Sequence, residues 1–185
     1  KIFSFFVSEG IAGGGSPHVY EYDSIVLTVE GDGMSTITAQ IPPSQLTYSV
    51  EVPSGAKRKF TVIASKTGIK NSGAHAITDL GSNQEVSISI NMLPIVQDFL
   101  VSGGSTEITV SWSGITGIID YFVYRSTNLD GPYTQIGTVH DEFNSSSEYY
   151  HDTTPVVGVT YYYKVSVISS GKEGEECDYK SGVRT

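Results

Sequence analysis

The chain has 185 residues, 38% of them hydrophobic and only 17% charged, with 20 Gly, 12 Tyr and 7 Phe, a profile of short strands and frequent turns rather than of helices or disorder. Its formal charge of -9 argues against a phosphate-backbone ligand, which needs clustered Lys and Arg, and its single Cys, Cys177, excludes an intrachain disulfide and a cysteine-based zinc site. No apolar run approaches the roughly 18 residues of a membrane-spanning helix, and the length suits two β-domains of about 90 residues each.

The chain opens on Lys1 without a signal-like segment, and a mature or trimmed fragment is expected, from which any export signal or lipid anchor has been removed. Residues 1–8, KIFSFFVS, are β-prone and aromatic. Gly13 to Gly15 and Pro17 then break regular structure until SIVLTVEG resumes at Ser24, so a strand, a long loop and a strand are expected. His18, Tyr20 and Tyr22 in that loop read as a lead into the strand and cover for a sandwich edge rather than as a binding tip. The glycines lack a following Lys and a helix, so they form no phosphate loop.

STITAQIP, QLTYSVEVP, KRKFTVIAS, AHAITDL and EVSISINML follow, each with period-two alternation. The pattern places Val50 with Val52, and Phe60 with Val62 and Ala64, on common faces. Turn signals such as EGDG, PSG, SKTGIKNSG and LGSN separate these strands at the spacing of an antiparallel sandwich. The run Lys57, Arg58, Lys59 is expected as a charged strand entry beside solvent rather than as an anion site. The block VEVPSGAKRKFTVIAS with ITDLGSNQEVSISINML resembles immunoglobulin-like or transthyretin-like modules of bacterial surface lipoproteins. That resemblance implies a sandwich over residues 1–94 and no ligand.

Pro94 ends the pairing of SISINML, and IVQDFLVS begins a new alternation, which sets a domain boundary with almost no linker. Beyond it come STEITVSWSG (105–114), IDYFVYRS (119–126), GPYTQIGTV (131–139), EYYHDTTPVVGVTYYYKVSVIS (148–169) and CDYKSGV. In GVTYYYKVSVIS, Tyr161, Tyr163, Val165 and Val167 share one face, and Tyr162, Lys164 and Ser166 the other. These segments are similar to strands B, C, C′, E with F, and G of a bacterial fibronectin type III domain, over nearly all of 95–185. The resemblance implies that Trp112 packs on Tyr121 and that Tyr161, shortly after Gly158, ties the E–F corner through its hydroxyl. The acidic segment GKEGEECD departs from the pattern, and no Arg-Gly-Asp triplet supports integrin-type adhesion. The expected fold class is all-β: two tandem antiparallel β-sandwiches, immunoglobulin-like and then fibronectin type III.

His18, His75, His140 and His151 are scattered through turns and strand ends, so no catalytic constellation is assigned. The richest cluster, His140, Asp141, Glu142, Glu148, His151 and Asp152, has the residue types of a cation site. Asp152, however, resembles the turn Asp of the E–F connection, and neither a metal nor a cofactor is assigned. Alternation turns Phe122, Tyr124 and Tyr162 outward on neighbouring strands, a candidate interaction face for a protein or a glycan unless neighbours such as Lys164 cover it. The expected function is a non-catalytic structural or protein-interaction module of a secreted or surface-anchored bacterial protein, located outside the cell. The alternative is a carbohydrate-binding or accessory region of a polysaccharide-active enzyme.

Overall fold

The computed structural model describes residues 4–9, 22–43, 45, 48–67, 69–84, 87–118, 120–141 and 145–185. The chain divides into two compact units, Lys1–Pro94 and Ile95–Thr185. Every regular element among the described residues is a strand.

The first unit contains β1 (Ser4–Glu9), β2 (Ser24–Glu30), β3 (Ile37–Ile41), β4 (Gly55–Lys66), β5 (Ile69–Leu80) and β6 (Ser87–Pro94), in the sheet order β1-β6-β5-β4-β2-β3. The long hairpin β4–β5 is its spine, paired from Gly55↔Leu80 to Lys66↔Ile69. The expected SKTGIKNSG turn is thus mostly strand, with Thr67 at φ 51° in the bend and its amide held by the Asp23 carboxylate at 2.6 Å. Among the described residues β6 joins β5 through Ser72↔Pro94 and Gly73↔Leu93, and Ile88 and Met92 of β6 enter the same core as Leu27, Phe60 and Val62. The sheet therefore folds over itself into a sandwich, because one set of apolar faces must be covered by another.

Three features of this unit differ from the alternation reading. β1 pairs with β6 in parallel rather than antiparallel. QLTYSVEVP forms no ladder over the described residues 48–54, although Val52 is buried and Tyr48 and Val50 pack on the core. That segment buries side chains without pairing. Arg58 is not a solvent-side charge but is 3% exposed, in phase with Phe60, Val62 and Ala64. Its guanidinium donates to the carbonyls of Asp32 (2.7 Å), Ser54 (2.7 Å) and Pro53 (3.2 Å), which supplies the hydrogen bonds a buried cation requires. His18 and Tyr20 of the loop before β2 lie outside the described residues.

The second unit is built from β7 (Leu100–Gly103), β8 (Ile108–Ser113), β9 (Asp120–Ser126), β10 (Thr134–His140), β11 (Ser147–Asp152), β12 (Thr160–Ser169), β13 (Lys172–Glu173) and β14 (Lys180–Val183). One sheet runs β11-β8-β7. The other runs β10-β9-β12, with β13 and β14 both paired to β12. The strands expected as B, C, C′, E, F and G are β8, β9, β10, β11, β12 and β14. Between the sheets lie Val110, Trp112, Tyr121, Val123, Tyr163 and Val165, all buried.

Candidate functional site

Trp112 of β8 and Tyr121 of β9 meet across the two sheets, with ring centroids 5.3 Å apart and planes tilted by 59°. The Tyr121 hydroxyl accepts from the Ile115 amide at 3.0 Å, which ties the loop after β8 to the core. Tyr161 does the same at the other end: its hydroxyl accepts from the Val156 amide at 3.2 Å, across a turn in which Gly158 has φ 78°. A left-handed residue is needed there, and glycine adopts that conformation without a Cβ penalty.

The inner face of β11 is polar. Glu148, Tyr150 and Asp152 stand opposite Trp112, Val110 and Ile108 of β8, so they point into the sandwich. Tyr150 and Asp152 each reach partners in the opposite sheet. Asp152, 2% exposed, accepts from Arg125 of β9 (2.7 Å), from the Tyr163 hydroxyl of β12 (2.9 Å) and from both the amide and the hydroxyl of Thr154. Burial alone would raise this carboxyl, but the hydrogen bonds from Thr154, Arg125 and Tyr163 outweigh it and hold Asp152 below the usual Asp range. Burial and the neighbouring Asp152 charge push the Tyr163 phenol upward. The Tyr150 hydroxyl donates to the Ile136 carbonyl at 2.8 Å, and its ring lies where a Cβ on Gly137 would collide, so the glycine in GPYTQIGTV lets β11 and β10 close together.

Glu148, 7% exposed, is pushed upward first by burial and then by the charge of Asp141. Asp141 in turn caps Ser145, accepting from its amide at 2.9 and 2.7 Å. Among the described residues, Oε1 of Glu148 and Nε1 of Trp112, on residues paired in register, are buried without a hydrogen-bond partner.

The acidic and histidine cluster singled out above is dispersed. His140 pairs with Asp120 at 2.6 Å and His151 with Glu107 at 2.7 Å, while Asp152 belongs to Arg125. Glu142 lies outside the described residues, and no three His, Cys, Asp or Glu side chains among those described gather as metal ligands do. Cys177 is buried, its Sγ accepts from the Val165 amide at 3.2 Å, and burial pushes its thiol up to about 12, far from the thiolate that nucleophilic chemistry requires.

The outer face of β9 and β12 carries Phe122, Tyr124 and Tyr162, each partly buried. The acidic segment before β14 explains why: it runs along β12, with Gly174 N bonded to Val167 O and Cys177 N to Val165 O, both at 2.9 Å. From there Glu173 reaches the face and accepts from Tyr124 Oη and Ser166 Oγ, both at 2.5 Å. Burial, and then that hydrogen bond, raise the Tyr124 phenol. Phe122 and Tyr124 contact each other edge to face with centroids 6.4 Å apart.

Two tyrosines that alternation does not address complete the surface. Tyr179, 45% exposed, stands nearly perpendicular to Tyr162 with centroids 5.7 Å apart. Lys164 lies 4.5 Å from the centroid of Tyr133 and 2.9 Å from Glu176 Oε2. Burial raises the Tyr133 phenol, with smaller contributions from the charges of Glu176 and other neighbours. Lys164, in register with Tyr124 on the neighbouring strand, thus carries its ammonium over Tyr133. The face is an aromatic cluster threaded by an ion pair, and its Tyr124 and Ser166 hydroxyls are both tied to Glu173.

No protein-family model matches the chain, and no curated protein does. Among solved structures, it is similar to an Fn3-like protein from Clostridium thermocellum, with 32% identity over 45% of this chain and 83% of that one and a TM-score of 0.39. It is also similar to a two-domain fibronectin type III segment of chicken tenascin (15% identity, 88% and 85% covered, TM-score 0.39). A DUF3823 family protein from Bacteroides ovatus matches over the full length of both chains at 14% identity and a TM-score of 0.38.

Proposed function

From the fibronectin type III strand order of residues 95–185, three strands β11-β8-β7 packed on β10-β9-β12 with β14, we propose that this chain is a non-catalytic recognition module of a secreted or surface-anchored bacterial protein. The binding face in this reading is the outer surface of β9 and β12. A single observation carries it: aromatic rings stay partly exposed on a sheet face, while the ionisable side chains that chemistry would need are engaged in structural pairings. Partial exposure of tyrosines at a rigid sheet suits binding, since large rings offer contact area at low entropic cost.

The test is retention of the 185-residue chain on an immobilised bacterial envelope fraction, beside a Tyr162→Ser, Tyr179→Ser double variant. Retention should fall several-fold in the variant; equal retention of the two proteins would overturn the reading. A second reading, a carbohydrate-binding accessory region, is favoured by the Lys164–Glu176 ion pair standing among the tyrosines.

A further inference from the structure

We infer that Tyr133, Tyr162 and Tyr179, with the Lys164–Glu176 pair, form a subsite for a neutral pyranose glycan. The inference rests on the recognition face proposed above and names its ligand. Tyr162 and Tyr179 stand at 77° to each other, so a sugar ring laid on one presents its edge to the other. Such an angular pair of apolar faces takes up the C–H surface of a pyranose, whose hydroxyls then point outward around the ring.

The polar groups are placed to meet those hydroxyls. Lys164 supplies N–H donors and Glu176 carboxylate acceptors, and the two are already held 2.9 Å apart over Tyr133. Their charges cancel, which favours an uncharged ligand. A carboxylated or sulfated sugar would have to break this pair and would meet Glu173, Glu176 and Asp178 in a segment of the same sign. A protein partner is disfavoured on the same ground: the cores of protein interfaces are depleted of charge, and burying this ion pair under a second protein would strip its water without replacement. Sugar hydroxyls replace that water.

Affinity electrophoresis of the full chain in gels containing xylan, galactomannan, hydroxyethyl cellulose, amylopectin or dextran, with polygalacturonate and alginate as acidic counterparts, tests this directly. At least one neutral polymer should retard the chain and neither acidic one should. Tyr133→Ala and Tyr179→Ala should each weaken the retardation about three- to tenfold, the loss expected for one aromatic stacking contact. Tyr149→Ala, an exposed tyrosine on β11 in the other sheet, should leave it unchanged. Absence of retardation by every neutral polymer, retardation by the acidic ones, or indifference to both substitutions would overturn the inference. If the neutral panel fails while envelope retention still depends on Tyr162 and Tyr179, the ligand is a protein, and the recognition reading stands without this one.

Discussion

Two surfaces of the second unit reverse the usual placement of side chains: the inner face of β11 carries Glu148, Tyr150 and Asp152, while the outer face of β9 and β12 carries Phe122, Tyr124 and Tyr162. On the buried polar face Tyr150 and Asp152 bond to named partners in the opposite sheet and so act as ties between the two layers, while Glu148 leaves one oxygen unpaired. The outer aromatic face is only partly satisfied by its own neighbours, and Tyr179 remains 45% exposed. Polarity inside is a matter of stability here, and in the reading proposed above apolarity outside serves recognition.

The largest expected effect breaks the inner face. Asp152→Ala strips the buried Tyr163 hydroxyl of its acceptor and removes the countercharge of the partly exposed Arg125, which keeps only Thr154 and the Tyr161 ring, and should cost about 3–5 kcal/mol in chemical denaturation. Trp112→Ala should cost a similar ~3–5 kcal/mol through the cavity it opens beside Tyr121. A loss under ~1 kcal/mol in either would mean that the sandwich does not depend on the contact.

The two carboxylates of that face should respond to pH in opposite directions. Asp152 is held below its ordinary value when folded, so the stability it contributes is present above the unfolded Asp value and is lost as pH falls through the folded one. Glu148 is raised when folded, so its contribution is present below the ordinary Glu value and is lost as pH rises through the raised one. Denaturation midpoints across a pH series should therefore fall off on both sides. Glu148→Gln should flatten the alkaline limb and Asp152→Asn the acid limb; variants that merely run parallel to the wild type would sink this assignment.

How much of this was legible in the residues follows from the same contrast. β8, β9 and β12 read directly, because their inward positions are Val110, Trp112, Tyr121, Val123, Tyr163 and Val165 and their outward ones differ in kind. The inner role of β11 did not read, since EYYHD has carboxylates at the buried positions. The available signal was phase: Glu148 and Asp152 keep step with Tyr150. Arg58 hid in the same way, in step with Phe60 but masked by Lys57 and Lys59. Alternation also reports burial rather than pairing, which is why QLTYSVEVP packs without a ladder. Tyr133 and Tyr179 lie outside the strands, where a period-two pattern says nothing, and their place on the face depends on the course of the chain before β10 and β14.

Smaller effects should come from the outer face. Tyr124→Phe removes one hydroxyl from Glu173, which keeps Ser166, and should cost about 1 kcal/mol in chemical denaturation. A neutral result would show that Glu173 finds its second partner in water.

The most direct test of the distinction between the two faces is the unfolding free energy of the Tyr162→Ser, Tyr179→Ser double variant, measured by denaturant titration beside the wild type. A recognition face predicts a change of about 1 kcal/mol or less, since Tyr179 is exposed, Tyr162 is only partly buried, and surface substitutions usually stay within about 0.5 kcal/mol each. A loss of several kcal/mol would contradict it and would make the outer aromatics part of the structure.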